Sequence, residues 1–326
     1  MLIRSIISGI ASHIYFLSKL RGTQGTTTSI RTARYCYSVW LRHLAFAYKN
    51  IETFKNILPQ LNSVAEIGPG DSLGSGIAAL LSGVNNYYAF DVVKHENRDR
   101  SLEMFDELIE LFSKRENIPG EKEFPKVKPF LESYDFPSDL ITEERLKYSL
   151  HTDRVKAIKY LLTSDNSINN STAESNNNVC IKYIVPWNSN ILEEESVEMI
   201  FSQSVLELVY DINAAYEAMY LWLKPGGFIS HQIDFKCLGT AEKWNGHWSY
   251  SDLMWKIIKG KRPYFPNRLP CSVHIENIER SGFKVIDVAK IKDYTGIRRD
   301  ELAPYFRGIS EDDFTTSGAL ILAQKK

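Results

Sequence analysis

The stretch Ser63-Val64-Ala65-Glu66-Ile67-Gly68-Pro69-Gly70-Asp71-Ser72-Leu73-Gly74 decides how the rest of the chain is read. It opens as a buried strand, breaks at two glycines and enters a helix. Gly68 and Gly70 let the backbone turn sharply and let a ligand lie against bare main chain. Leu73, Ile77, Leu80, Leu81 and Val84 recur at helical spacing, so the turn opens a helix whose apolar face packs on a sheet. The run Tyr87-Tyr88-Ala89-Phe90-Asp91 reads as the next strand. Its last residue is a carboxylate about 20 positions beyond the turn, the placement that reads ribose hydroxyls in nucleotide-binding βαβ units.

Two ligand classes use such a turn. A nicotinamide dinucleotide favours G-x-G-x-x-G, and Leu73 holds the third glycine position. The other class is S-adenosylmethionine. The run Glu66-Ile67-Gly68-Pro69-Gly70, with Asp91 as a second acidic anchor, resembles the first motifs of the Rossmann-like class I methyltransferases, with Ser72 where their third glycine usually stands. A glycine turn in an unrelated α/β protein is the remaining reading, and the surrounding strands and helices weigh it.

On the N-terminal side, Tyr37, Trp40, Leu41, Leu44, Tyr48 and Ile51 form a helical stripe that carries Arg42 and His43. Helices before the first strand often roof the cofactor cleft in the family resembled, which makes Arg42 and His43 candidates for the acceptor side; the alternative is a solvated face. Gly22 to Ser29 read as a linker. Ile3, Ile6, Ile7, Ile10, Ile14 and Leu17 make a first stripe, too short and interrupted to span a bilayer. Such a helix either lies on a membrane surface or packs on protein, and packing on protein is the expectation for residues 1–20.

Hydrophobic residues make up 44% of the 326 and charged residues 24%, the balance of a soluble globular protein. A formal net charge of −1 gives no global field for nucleic acid. Cys36, Cys180, Cys237 and Cys271 form no C-x-x-C pair, which points to neither zinc nor a disulfide framework and makes a reducing, cytoplasmic setting the expectation.

On the C-terminal side, roughly 80 residues separate Asp91 from the next clear strand. They hold two amphipathic helical patterns, a stretch punctuated by Pro119, Pro125, Pro129 and Pro137, and a nearly all-polar run from Ser164 to Asn178 that reads as a mobile loop. This insertion, at about 95–178, is placed beside the cleft as a substrate lid. The sheet resumes at Val179–Ile184, followed by Pro186-Trp187-Asn188, then Val197–Phe201 and Phe228–Asp234, with a closing hairpin from Phe283–Val288 and Ala319–Ala323.

The order strengthens the resemblance. Phe201-Ser202-Gln203-Ser204-Val205-Leu206-Glu207 resembles the fourth-strand motif of class I methyltransferases, and Leu223-Lys224-Pro225-Gly226-Gly227 resembles the turn before their fifth strand. Many members carry His where Leu208 stands. A narrower likeness, in His231-Gln232-Ile233-Asp234 and Asn267-Arg268-Leu269, is to methyltransferases of bacterial surface-polysaccharide biosynthesis. The resemblance implies an α/β, doubly wound, seven-stranded, mostly parallel sheet with an antiparallel last strand. It spans a domain at 59–326, preceded by a helical segment at 1–58.

It further implies S-adenosylmethionine as cofactor, held by Glu66, Gly68, Gly70 and Asp91, with Trp187, Asn188, Ser202 and Gln203 completing the adenine and methionine sides. The acceptor is expected to be a hydroxyl of a sugar or another small polar molecule. Methyl transfer from a sulfonium needs alignment above all, and a hydroxyl also needs a base. His231 is the candidate base, with Asp234 as its orienter, an alternative base or a ligand to a divalent metal. An ideal strand would point the two to opposite faces, so joint action requires the chain to turn near Ile233. Trp244, His247, Asn267 and Arg268 are candidate acceptor contacts, weighed against core packing. A nicotinamide oxidoreductase, a non-catalytic scaffold and a homo-oligomer stay open.

Overall fold

The computed structural model describes residues 1–11, 32–54, 61–94, 96–164, 179–188, 191–262 and 264–326. The expected linker at Gly22–Ser29 and nearly all of the polar run at Ser164–Asn178 lie outside them.

The strands are β1 (Ser63–Ile67), β2 (Asn86–Phe90), β3 (Cys180–Ile184), β4 (Val197–Gln203), β5 (Leu223–Asp234), β6 (Phe283–Lys292) and β7 (Thr316–Lys325). Among the described residues they form one seven-stranded sheet in the order β3-β2-β1-β4-β5-β7-β6. The pairings from β3 through to β5 are parallel, and β7 runs antiparallel to both β5 and β6. This is the doubly wound mixed sheet expected from the motif order. Every residue of β1 and of β4 is buried, as central parallel strands covered on both faces must be.

Helix α1 spans Leu2–Ala11, α2 Ala33–Asn50, α3 Gly74–Leu81, α4 Arg98–Ser113, α5 Glu143–Ser149 and α6 Thr152–Thr163. Helices α2, α3, α4 and α6 pack over Val64, Tyr87, Met199, Phe201 and Phe228 of the sheet. The opposite face is covered by α7 (Ile212–Trp222) and α9 (Cys271–Arg280), over Ala65, Ile200, Ile229 and Ile321. Helix α8 (Asp252–Lys259) belongs to neither layer and carries a smaller apolar cluster of Trp255, Ile258 and Phe265.

The stripe read in residues 37–51 is α2, capped by Thr32, whose side chain accepts from the Tyr35 N–H. Trp40 is fully buried in the main core, so removing its ring would cost about 3–5 kcal/mol. Three arginines tie the insertion to this layer by donating to backbone carbonyls. Arg42 on α2 donates to the carbonyls of Pro119, Val127 and Pro129 at 2.7–3.0 Å. Arg145 reaches Ser82, and Arg154 reaches Leu80 and Val84, at the end of α3. The described part of the insertion thus joins the main core, where Ile118, Phe136, Leu140 and Ile141 are buried.

Candidate functional site

The carboxyl ends of β1, β2, β3, β4 and β5 meet at one rim of the sheet, where open α/β sheets place ligands. At the centre is the glycine turn. Gly68 and Gly70 have φ of +68° and +75°, the left-handed region that only glycine enters at no cost. A side chain at Gly68 would also collide with Val205, its Cβ falling 2.6 Å from a Val205 methyl. The Gly68 N–H donates to Phe90 O at 2.8 Å, which ties the turn to the end of β2. Asp71 pairs with Arg100 of α4, and the buried Ser72 hydroxyl has no hydrogen-bond partner.

Glu66 is buried one residue before the turn, and the Tyr87 hydroxyl donates to its carboxylate at 2.5 Å. Tyr87 can reach it because Gly76 leaves room for the phenol ring under α3; a Cβ there would fall 1.9 Å from that ring. Asp91 stands immediately past β2, buried to 7% exposure, with its carboxylate accepting from the Val92 N–H at 2.8 Å. Tyr264 comes close enough to Asp91 for the carboxylate to act on its phenol, which burial and that charge push up to about 12. Trp187 follows β3, its ring 6.4 Å from Phe90, and Asn188 beside it is exposed.

The fourth and fifth strands alternate faces, and this separates residues that are adjacent in sequence. Gln203 and Ser230 point toward α2 and meet His43 there. The His43 Nδ1 lies 2.7 Å from Ser230 Oγ and Nε2 lies 3.1 Å from Gln203 Oε1. One neutral tautomer satisfies both contacts, with Nε2–H donating to Gln203 and Nδ1 accepting from Ser230. Burial pushes this imidazole down to about 4.

Ser202 and His231 point the other way, toward α7. Ser202 Oγ lies 2.8 Å from His231 Nδ1, and His231 Nε2 is buried with no hydrogen-bond partner. The ring is 6.2 Å from Tyr216, whose hydroxyl in turn contacts His274 Nδ1 at 3.0 Å. Burial pushes His231 and His274 down to about 3.

These placements correct several expectations. Strand β5 stays paired with β7 as far as Asp234 and Gly318, so the turn needed near Ile233 is absent. His231 lies fully buried inside the sheet–helix layer rather than at a strand end with Asp234. Ser202 is buried on that same face and Gln203 is held by His43, so neither presents its side chain to the rim. Arg42 and His43 are likewise buried and engaged by protein groups, and they do not line an open acceptor site.

Trp244 and Trp248 pack on Leu302, Ala303 and Phe306 in a separate small core, with the His247 ring 5.1 Å from Trp248. The Arg268 guanidinium lies over the rings of Trp255 and Phe306 and donates to Tyr250 O and Asp252. Asn267 donates to Leu206 O and Val209 O, fastening the turn that follows β4. Packing, the alternative weighed for the aromatic segment, is what these side chains do.

One rim residue carries more than its motif suggested. Glu207, on the 3-10 turn Leu206–Leu208, is buried with Oε2 lacking a hydrogen-bond partner. Burial foremost, and the charge of Asp234 in addition, push its carboxyl up to about 8, so it keeps a proton at neutral pH. Asp234, at the end of β5, accepts from the Lys236 N–H at 2.9 Å and pairs with the Lys236 ammonium at 3.4 Å, its side chain 22% exposed. The signal for Glu207 was present as a lone carboxylate inside the apolar run Val205-Leu206-Glu207-Leu208-Val209. Backbone strain marks the same place: Ser204 has φ of +57°, and its side chain donates to Gln232 Oε1 at 2.6 Å. Among the described residues no three His, Cys, Asp or Glu side chains cluster as metal ligands.

No protein-family model and no curated protein sequence matches the chain. Solved structures do resemble it at low identity. An S-adenosylmethionine-dependent methyltransferase from Mesorhizobium loti is 12% identical, with a TM-score of 0.39 over 84% of this chain and 96% of the other. One from Methanosarcina mazei is 12% identical, with a TM-score of 0.41 over 84% and 97%. A phosphoethanolamine N-methyltransferase from Haemonchus contortus, in complex with S-adenosyl-L-methionine, is 12% identical, with a TM-score of 0.38 over 91% and 60%. At such scores the likeness is loose, and the fold rests on the strand order and pairing described above.

Proposed function

We propose that this chain transfers a methyl group from S-adenosylmethionine to an oxygen of a small polar acceptor, with a sugar hydroxyl as the leading class. The observation that supports it best is the rim itself. A glycine turn with two left-handed residues and the carboxylate of Asp91 lie on neighbouring strand ends, where a nucleoside with a charged tail can bridge them. The residues fit that group. The left-handed main chain at Gly68 and Gly70, with the buried Ser72 hydroxyl beside it, would hold the amino-acid end, Asp91 the ribose, and Trp187 and Tyr264 the base. When bound, the sulfonium supplies an electrophilic methyl carbon.

The chain's part is to align the acceptor and take its proton. Asp234 is the proton acceptor in this reading, in place of the sealed His231. Glu207 stands behind it as a proton-holding neighbour. Calorimetric titration with S-adenosylhomocysteine tests the cofactor. Binding to the parent protein, weakened by about 1.5–3 kcal/mol in a folded Asp91→Ala variant, is the expected result. No heat with that ligand, together with binding of a nicotinamide dinucleotide, would move the reading to an oxidoreductase on the same scaffold.

A further inference from the structure

We infer that α1 and α8 together form a docking surface for an anionic lipid membrane, which the protein rests on without crossing. The two helices pack against each other at close range. Gly9 lies so near the end of α8 that a Cβ on it would fall 2.0 Å from Ile257 O, and Ile6 joins the Trp255–Ile258–Phe265 cluster. Ser5 adds a bond to Thr240 O at 3.3 Å. The inner face of α1 is therefore fixed on protein, and residues 12–20 of the segment expected to pack this way lie outside the described residues. Apolar side chains on the other face of α1 are exposed. Ile3 is 75% and Ile7 61% exposed on α1, and Leu253 is 70% and Ile257 37% exposed on α8. In each pair the residues are four apart, so each helix shows one continuous apolar row.

The charge around these rows selects the occupant. Helix α1 contains Arg4 and no acidic residue, and α8 with its following turn contributes Lys256, Lys259 and Lys261. The acid of α8, Asp252, is paired with Arg268 at 2.6 Å. Tyr210, 86% exposed, lies under the Lys259 ammonium at 4.5 Å, an amphipathic ring at the edge of the patch. Apolar rows edged by cations and tyrosine match the boundary between acyl chains and acidic headgroups. A second copy of the chain would bring these same cations face to face across a two-fold axis, so like charges oppose a dimer through this surface. No described helix is long and apolar enough to cross a membrane.

Flotation of the full chain with vesicles tests this. One set is phosphatidylcholine alone, the other contains phosphatidylglycerol, each at about 0.05 and 0.5 M salt. Binding to the anionic vesicles about tenfold or more above the neutral ones, weakened at high salt, is expected. Ile3→Asp with Ile7→Asp, and separately Leu253→Asp, should each lower binding about tenfold or more while leaving the thermal midpoint and S-adenosylhomocysteine affinity in place, because the replaced side chains are exposed. Lys256→Glu with Lys259→Glu should weaken binding about tenfold and flatten its salt dependence. Absence of the parent protein from the anionic float overturns the inference, as does binding that ignores the aspartate substitutions. So does light scattering that finds a dimer dispersed by Leu253→Asp, which would make a second copy the occupant.

Discussion

The rim of the sheet and its interior hold their titratable side chains in different settings. Inside, His43, His231 and His274 are fully buried and held neutral, each pushed down to about 3 or 4 by burial. At the rim, Asp91 and Asp234 keep carboxylates beside the strand ends, and Glu207 holds a proton next to Asp234. The difference teaches that burial between sheet and helix turns a titratable side chain into a packing group, while the strand ends leave carboxylates beside the ligand-binding rim. Within β4 and β5, as far as Gln203, a polar side chain becomes a bridge between sheet and helix. Past the strand end, it faces the place where ligands bind.

Acid gives the largest test of this contrast. His43, His231, His247 and His274 all sit below the unfolded value of about 6.5, so the unfolded chain binds the extra protons. Their contribution is complete above that pH and is lost as pH falls, about 1.4 kcal/mol per unit for each, which removes about 5 kcal/mol or more by pH 5. Glu207 has the opposite sign, since its raised value makes the folded state hold a proton that the unfolded chain releases. Stability should therefore peak between about pH 6 and 7 and decline gently toward about pH 8, and Glu207→Gln should remove the alkaline decline. Thermal midpoints measured across that range check both arms. A profile flat down to pH 5 would mean that the histidines are not sealed.

Asp234→Asn comes next. Turnover on the true acceptor should fall about 10²–10⁴-fold with S-adenosylhomocysteine affinity unchanged. Equal loss of cofactor binding would place Asp234 in the cofactor site instead. In the interior, His43→Ala removes a ring that satisfies both Ser230 and Gln203. Denaturant unfolding should show a loss of about 3–5 kcal/mol, cavity and stranded polar groups together. The smallest effect belongs to the other face. Ser202→Ala combined with His231→Leu removes both partners of one bond and the unpartnered Nε2, so stability should change by no more than about 1 kcal/mol and turnover should be retained. Collapse of turnover in that double variant would restore His231 as the base and break the contrast.

The strand–turn–helix at 63–74, the order of strands and the antiparallel closure were legible because they depend on apolar runs, glycines and chain order. The placement of His231 was not. Alternation showed that it and Asp234 would face opposite ways on an ideal strand, but only pairing with β7 shows that the strand remains ideal as far as Asp234. Arg42 and Arg268 were misread for a related reason. A guanidinium that serves an anionic ligand and one that serves backbone carbonyls look the same in sequence, and the carbonyls belong to distant loops. Trp244 and His247 sit in an aromatic segment whose partners, Leu302 to Phe306, lie some 55 residues further on, beyond any local pattern. Glu207 was readable as an oddity but not as a proton holder, because its state depends on burial and on Asp234.

The Arg42 grip has a consequence for how the molecule breathes. One side chain on α2 carries the carbonyls of Pro119, Val127 and Pro129, and Ser38 one turn earlier also donates to Pro119. Local opening cannot free that loop without stripping a buried cation of its acceptors, and α2 cannot lift without doing the same. Helix and loop should open as a single cooperative unit in amide exchange, the N–H groups of 36–47 and those of Phe124 and Val127 sharing one opening free energy and one sensitivity to Arg42→Met.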